Sequence, residues 1–238
     1  MIALISEVLL NFSKLWIFLG AAAYVFAAPS SEEINAWKQR VLTTLPKINN
    51  GWCSREKAER LMDLVLKEKP KVCVEIGVFE GASVFPIATT LQFLGGGVIY
   101  CIDPWDRMEA IRYFNPTEDK ESIEWWEKVN FERIYKNFQR FINIRKLNEY
   151  CVILRKSSSD AAEDIKEPID FLHIDGNHSE IISLLDVRTY LPKVRSGGYI
   201  CYNDCFWPER IAAMDLLSES CEFVRFINKD NCILLRKL

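Results

Sequence analysis

One stretch limits the folds open to this chain more than any other: Lys71 to Asp103, KVCVEIGVFEGASVFPIATTLQFLGGGVIYCID. Val72-Cys73-Val74-Glu75-Ile76 is an apolar run without helical periodicity, the pattern of a buried strand. Gly77 and Gly81 bracket a tight turn, Ala82 to Leu94 reads as a helix, and Gly95-Gly96-Gly97 stops it. A second buried strand, Val98 to Ile102, ends on Asp103. Strand, glycine turn, helix and a strand ending in an acid form the first half of a doubly wound, nucleotide-binding α/β sheet. The glycines let a ligand approach the backbone, and Asp103 is placed to accept from ribose hydroxyls.

The glycine spacing narrows the nucleotide. A dinucleotide fingerprint needs G-x-G-x-x-G, whereas this chain has G-x-x-x-G, with Val78 and Phe79 in between. No G-x-x-x-x-G-K-[ST] sequence occurs either, so phosphate cradling is poorly supported. Glu75 lies two residues before the first glycine, and a carboxylate there suits a cationic ligand better than a phosphate. The pattern E-I-G-x-x-x-G-x-S, Glu75 to Ser83, resembles motif I of the class I S-adenosylmethionine (SAM)-dependent methyltransferases. Phe79 stands where members often carry a central glycine. The resemblance implies a Rossmann-like doubly wound seven-stranded sheet with a C-terminal antiparallel hairpin. It also implies SAM over Gly77 to Gly81 with Ser83 in the motif, its ribose on Asp103 and its amino-acid end near Glu75. A doubly wound domain with a different nucleotide site is the alternative at this point.

At 238 residues and 49% hydrophobic, the chain can bury one sizeable core. Its formal charge of −3 offers no basic footprint for nucleic acid and leaves a neutral small-molecule or protein-borne substrate open; a small-molecule hydroxyl acceptor is the expected partner. The eight cysteines include no C-x-x-C pair, and several sit in apolar runs where thiols behave as small hydrophobes. That usage favours a reducing compartment. Residues 15–31, LWIFLGAAAYVFAAPSS, carry no charge. A signal peptide cleaved near Ala27, a membrane anchor and an amphipathic helix all fit this segment. Because SAM is made in the cytosol, the resemblance implies a cytoplasmic catalytic domain, anchored or not; export after cleavage is the alternative. The expected organisation is a hydrophobic segment over 1–31, helices over 32–70, and the catalytic domain over 71–238 with a helical insertion at about 104–150.

Within that frame, Glu32 to Asn50 reads as a polar helix and a loop broken at Pro46 and Asn49-Asn50-Gly51. Ser54 is a plausible cap for a helix over Arg55 to Lys69, with Leu61, Met62, Val65 and Leu66 on one face. In the insertion, spacing from Ser122 to Phe141 predicts one long amphipathic helix whose rings are mostly core. Arg107 to Thr117 is either a plain loop or a lid over the site. Tyr150 to Leu154 is a third strand. Ser157-Ser158-Ser159-Asp160 follows, where the resemblance places adenine contacts on Ser158 and Asp160, and helix capping is the competing role.

The second informative stretch is Ile169 to Ser179, IDFLHIDGNHS, which holds both histidines of the protein. His173 falls inside a strand and reads as a hydrogen-bonded core residue. His178 lies beyond the strand end, on the side where open α/β sheets bind ligands. Tyr199 to Tyr202 is a fifth strand, preceded by a loop from Leu191 to Gly198 and ending in Asn203-Asp204. Asp175, Asn203 and Asp204 therefore collect at one sheet edge, where three oxygen donors suit a hard cation such as Mg²⁺; turn formation is the competing role of Asn203 and Asp204. F-L-H-I-D-G-N-H-S followed by L-P-K-V-R-S-G-G-Y-I-C-Y-N-D resembles the metal-dependent O-methyltransferases, nearest to the macrocin-type sugar enzymes and more distantly to catechol O-methyltransferase. That resemblance implies a metal on Asp175, Asn203 and Asp204, with Asp175 shared with the cofactor. The position of the sugar enzymes' proposed base is Asn177, which cannot take a proton. The position of the catechol enzyme's lysine base is His178, the expected catalytic base here. Cys221 to Asn228 and Cys232 to Lys237 read as the closing hairpin. The rival functions are a nicotinamide oxidoreductase on the same sheet and a non-catalytic, membrane-tethered SAM-binding module.

Overall fold

The computed structural model describes residues 29–44 and 52–238. The segment 15–28, the cleavage position near Ala27, and the break at Pro46 and Asn49 to Gly51 lie outside the described residues. Among the described residues no helix is long and apolar enough to cross a membrane.

The chain order is α1 (Ser31–Thr44), α2 (Arg55–Glu68), β1 (Val72–Ile76), α3 (Val84–Leu94), β2 (Val98–Ile102), α4 (Arg107–Ala110), α5 (Lys120–Glu127) and α6 (Phe131–Ile144). Then follow β3 (Cys151–Leu154), α7 (Ser158–Ala161), β4 (Ile169–Ile174), α8 (Glu180–Tyr190), β5 (Val194–Tyr202), α9 (Ile211–Ser220), β6 (Cys221–Ile227) and β7 (Cys232–Lys237). The seven strands form one sheet in the order β3-β2-β1-β4-β5-β7-β6. β1 to β5 run parallel, and β7 pairs antiparallel with both β5 and β6. This is the expected α/β sheet with its C-terminal hairpin. The strand order reverses between β1 and β4, so the ligand crevice of such a sheet opens above their carboxyl ends.

Alternation along the strands divides the sheet into two different faces. Val74, Ile76, Leu172, Ile174, Ile200 and Tyr202 join Val187, Tyr190, Ala213 and Leu217 in an apolar cluster. The intervening positions on the opposite face bring Glu75, His173 and Cys201 side by side in register, all fully buried. A polar row inside a core needs partners. Glu75 accepts from the Ser83 hydroxyl and lies 3.2 Å from His173 Nδ1, and the Cys201 thiol meets that of Cys232 at 3.0 Å.

Three expectations are corrected. The single helix from Ser122 to Phe141 is two helices, because Asn130 caps α6 by accepting from the Arg133 N–H at 2.9 Å and so ends the run before it. Of the insertion's rings, Phe138 is buried as expected of core, but Trp125 is 43% exposed. Strand β5 begins at Val194 rather than Tyr199; Gly197, at φ +73°, lies inside it where the pairing with β4 shifts register.

Candidate active site

The residue after each of four parallel strands still completes the ladder. Gly77 N–H donates to the Ile102 carbonyl at 2.9 Å, Asp103 to Leu154 at 3.2 Å, Asp175 to Ile76 at 2.8 Å, and Asn203 to Ile174 at 3.0 Å. Register alone therefore carries Gly77, Asp103, Asp175 and Asn203 to one rim. Above it opens a cavity of about 840 Å³ whose lining includes all four.

On the β1–β2 side, Gly77 adopts φ +83°, and a Cβ there would sit 2.1 Å from the Asp175 carbonyl oxygen. Only glycine fits that approach. Gly81, at φ +84°, does not line the cavity; it clears the Phe138 ring, which a Cβ would meet at 2.6 Å. Phe79, between the two glycines of the turn, takes the left-handed conformation, φ +51°. That conformation costs a side chain about 1 kcal/mol, and Asp103 offsets it. One oxygen of Asp103 accepts from the Val78 and Phe79 N–H groups at 3.0 and 2.9 Å, the other from Trp105 N–H at 2.6 Å. Asp103 thus shapes the glycine turn as well as facing the cavity. Glu75 does not reach the cavity wall: it is fully buried, accepts from the Ser83 hydroxyl, and lies 3.2 Å from His173 Nδ1. Ser83 itself lines the cavity. Ser158 also lines it, its hydroxyl donating to Asp186, while the neighbouring Ser157 is the helix cap. Asp160 is exposed and away from the cavity.

On the β4–β5 side, Asp175, His178 and Asp204 each bring one atom within 4.8 Å of the others. His178 Nε2 lies 3.4 Å from Asp204 Oδ2, and its ring stands edge-on to Trp207 at 4.8 Å. Asp204 adopts φ +51°, which aspartate tolerates. Asn203 behaves differently from expectation. Its Oδ1 accepts from the Lys57 ammonium at 2.8 Å, and its Nδ2 donates to Asp204 at 2.8 Å. The Asn203 oxygen expected to share a metal is therefore held by a buried lysine from α2, while Asp175 and Asp204, with His178, still face one another. Lys57 Nζ lies 3.3 Å from Asp175 Oδ2 as well, and its side chain is wholly buried. Sequence reading passed over Lys57, as well as Arg210, which donates to Ser183 and to the Gly176 carbonyl.

These contacts set the charges. Burial pushes the Asp175 carboxyl up, but Lys57, His173, His178 and Arg210 outweigh it and hold it below the usual range. Burial and then Arg210 depress His178 to about 4, so its imidazole is neutral at physiological pH. Burial and then repulsion from Asp175 raise Asp204 to about 6.

The insertion closes the cavity. Trp52, Phe79 and Trp125 contact one another at ring separations of 5.2 to 6.4 Å, and all three line the wall. Glu109, Ala110, Arg112 and Phe114 line it too, so the 107–117 loop borders the site. Asn177 holds that loop: its Nδ2 faces the Glu109, Ala110 and Arg112 carbonyls at 2.8, 3.1 and 3.1 Å.

A family model described as a methyltransferase domain matches residues 74–205, from β1 to just beyond β5. The chain belongs to this methyltransferase family. The resemblance to SAM-dependent methyltransferases read from Glu75 to Ser83 and from Phe171 to Ser179 is thereby borne out; the metal dependence implied by the second stretch is no part of that match. No curated protein sequence matches this methyltransferase. Among solved structures, the O-methyltransferase NovP is similar at a TM-score of 0.65 and 16% identity, over 88% of this chain and 99% of that one. The SAH-bound methyltransferase PaMTH1 of Podospora anserina is similar at 0.58 and 12%, over 89% and 98%. An O-methyltransferase of Bacillus cereus in complex with SAH is similar at 0.54 and 16%, over 88% and 92%. At such identities the likeness is one of fold.

Proposed function

We propose that this methyltransferase moves the methyl group of SAM onto a hydroxyl oxygen of a small molecule. The observation that carries the reading is a single cavity bounded on one side by a glycine turn with an acid behind it and on the other by a carboxylate–imidazole group. The SAH held by the Podospora and Bacillus proteins supports the same cofactor here, and the O-methyltransferase relatives support oxygen as the acceptor atom. On this reading Gly77, Ser83, Asp103, Ser158 and Asp175 face the cofactor, while Glu75 and Gly81 support the turn from behind.

The sulfonium already carries an activated methyl group, so this chain's residues have to orient, exclude water and take a proton. Asp103 accepts from the ribose. The aromatic wall of Trp52, Phe79 and Trp125 suits an acceptor with an apolar body. As the acceptor oxygen attacks, its proton passes to the neutral His178, with Asp204 stabilising the imidazolium that forms. A divalent ion on Asp175, Asn203 and Asp204 does not fit the donor set, since the Asn203 oxygen is occupied by Lys57. No step is drawn through one. The domain works where SAM is available, on the cytosolic side.

Calorimetric titration with S-adenosylhomocysteine (SAH) and with NAD tests the reading. Binding of SAH alone is expected, weakened at least about tenfold in Gly77→Ala, whose added carbon has no room in the turn. Binding of NAD without SAH would overturn it.

A further inference from the structure

We infer that Lys57 is this enzyme's internal substitute for a divalent cation: its ammonium, rather than a metal ion, neutralises and orients the acidic strand ends of β4 and β5. The inference rests on the methyl-transfer reading above and deepens it, because it sets what the same site binds and what it excludes.

The position of Lys57 is fixed from several sides. Ser54 caps α2 by accepting from the Lys57 N–H at 3.1 Å, and the Ser54 N–H donates at 2.8 Å to Asp230, in the connection between β6 and β7. The first turn of α2 is thereby fastened to the sheet, and the lysine's stem passes beneath the rim. Its ammonium then meets two oxygens, Asn203 Oδ1 and Asp175 Oδ2, with the side chain at 0% exposure. A buried ammonium without partners is not tolerated, so these contacts are a requirement of the fold and not a passing surface pair.

The chemistry of Asn203 follows. With Oδ1 taken by a donor, the amide presents its NH₂ group to Asp204. A group that donates toward Asp204 cannot also coordinate a cation there. An aspartate at this position would add a third negative charge, which a divalent ion matches; the amide matches one lysine. Asp175 and Asp204 are moreover already opposed by two buried cations, Lys57 and Arg210, both of which act on each carboxylate. His173 Nε2 approaches Asp175 Oδ2 at 4.0 Å from below. A doubly charged ion would enter a site whose negative charge is already balanced.

Lys57 does not line the cavity. It is a positioning residue: it keeps Asp175 ionised and turns Asn203 so that Asp204 is held toward His178. The proton of the acceptor then passes to His178, with Asp204 stabilising the imidazolium, without a Lewis acid.

The test uses the full chain as purified. Elemental analysis is expected to find no stoichiometric Mg, Mn or Zn. Titration with Mn²⁺, read by the EPR signal of free Mn²⁺, is expected to show no bound ion in the wild type, with or without SAH. The Lys57→Met/Asn203→Asp variant, which removes the ammonium and restores a carboxylate, is expected to bind Mn²⁺ at least about tenfold more tightly than wild type. Lys57→Arg, which keeps the charge, is expected to behave as wild type and covers a double variant that fails to fold. One tightly bound Mn²⁺ per wild-type chain would overturn the inference, as would a Mn²⁺ affinity equal in wild type and a folded double variant. SAH binding, measured on the same samples, reports separately on the cofactor reading; its loss in wild type would remove that reading and leave the metal result standing.

Discussion

At the scale of single residues the site is governed by charges that are buried and paired. Two unit charges about 4 Å apart at an effective dielectric near 20 interact by about 4 kcal/mol. The attraction between Lys57 and Asp175 is of that order, and the repulsion between Lys57 and an added divalent cation at a similar distance is about twice it. Removing one partner of such a pair costs about 3 to 5 kcal/mol, which is why the charge-keeping variant belongs in the metal test. The two histidines offer a cleaner measurement, because the protein has no others. For His173, burial and then Lys57 oppose protonation, yet Glu75 and Cys232 outweigh them and raise it to about 9. His178 moves the other way, to about 4. Between pH 5 and 8 neither ring is expected to titrate: His173 stays an imidazolium and His178 stays neutral. Long-range ¹H–¹⁵N correlation of the imidazole nitrogens reads this directly. A His178 ring titrating near 6.5 would mean that water reaches it and that it loses its proton-accepting form in mild acid.

At the scale of elements, the loop carrying α4 shows how one amide replaces a chemical role with a mechanical one. Asn177 accepts from the Ser179 N–H at 2.7 Å and turns its NH₂ to the carbonyls of the 107–117 loop. An aspartate there would face those carbonyls with a negative charge. Asn177→Asp is expected to cost about 1 to 2 kcal/mol of loop closure and to speed tryptic cleavage after Arg107 and Arg112 by about tenfold or more. Unchanged cleavage would mean that the loop is held by its aromatic contacts instead. The elements differ in how far the sequence announces them. Strands β1, β2 and β4 are legible because strands buried on both faces read as mainly apolar runs without helical periodicity, and Gly77 is legible because nothing else fits its turn. Asp175 and Asp204 are legible as strand ends. Lys57 is not: a lysine in the first turn of an amphipathic helix reads as solvent-facing, and its partners lie 118 and 146 positions away. The divided insertion was legible in principle, since Asn130 is a capping type, but the aromatic spacing ran through it and the apolar period prevailed.

At the scale of the molecule, the two edges of the parallel sheet do different jobs. The carboxyl edge gathers Gly77, Asp103, Asp175 and Asn203 around the cavity. The opposite edge carries Asp170 at the start of β4, which accepts from the Lys71 and Val72 N–H groups at 2.7 and 3.0 Å and from Arg195 of β5. One carboxylate thus ties the entries of β1, β4 and β5 together, far along the strands from the chemistry. Burial pushes the Asp170 carboxyl up, but Arg195 and the two backbone donors prevail and lower it below the ordinary value of 3.8. A carboxylate whose folded pKa is depressed stabilises the fold above its unfolded pKa, and that contribution fades as the pH falls through the folded value. Asp170→Ala is therefore expected to lose about 2 to 3 kcal/mol at pH 7, a fall of roughly 5 to 10 °C in melting temperature for a chain of this size. The gap between variant and wild type should narrow steadily below about pH 4, where the wild type protonates the same group. SAH affinity at pH 7 should change little, since no atom of this tie reaches the cavity. A variant that melts like wild type at pH 7, or that loses SAH binding while still folded, would show that the two edges are not separable in the way their hydrogen bonds imply.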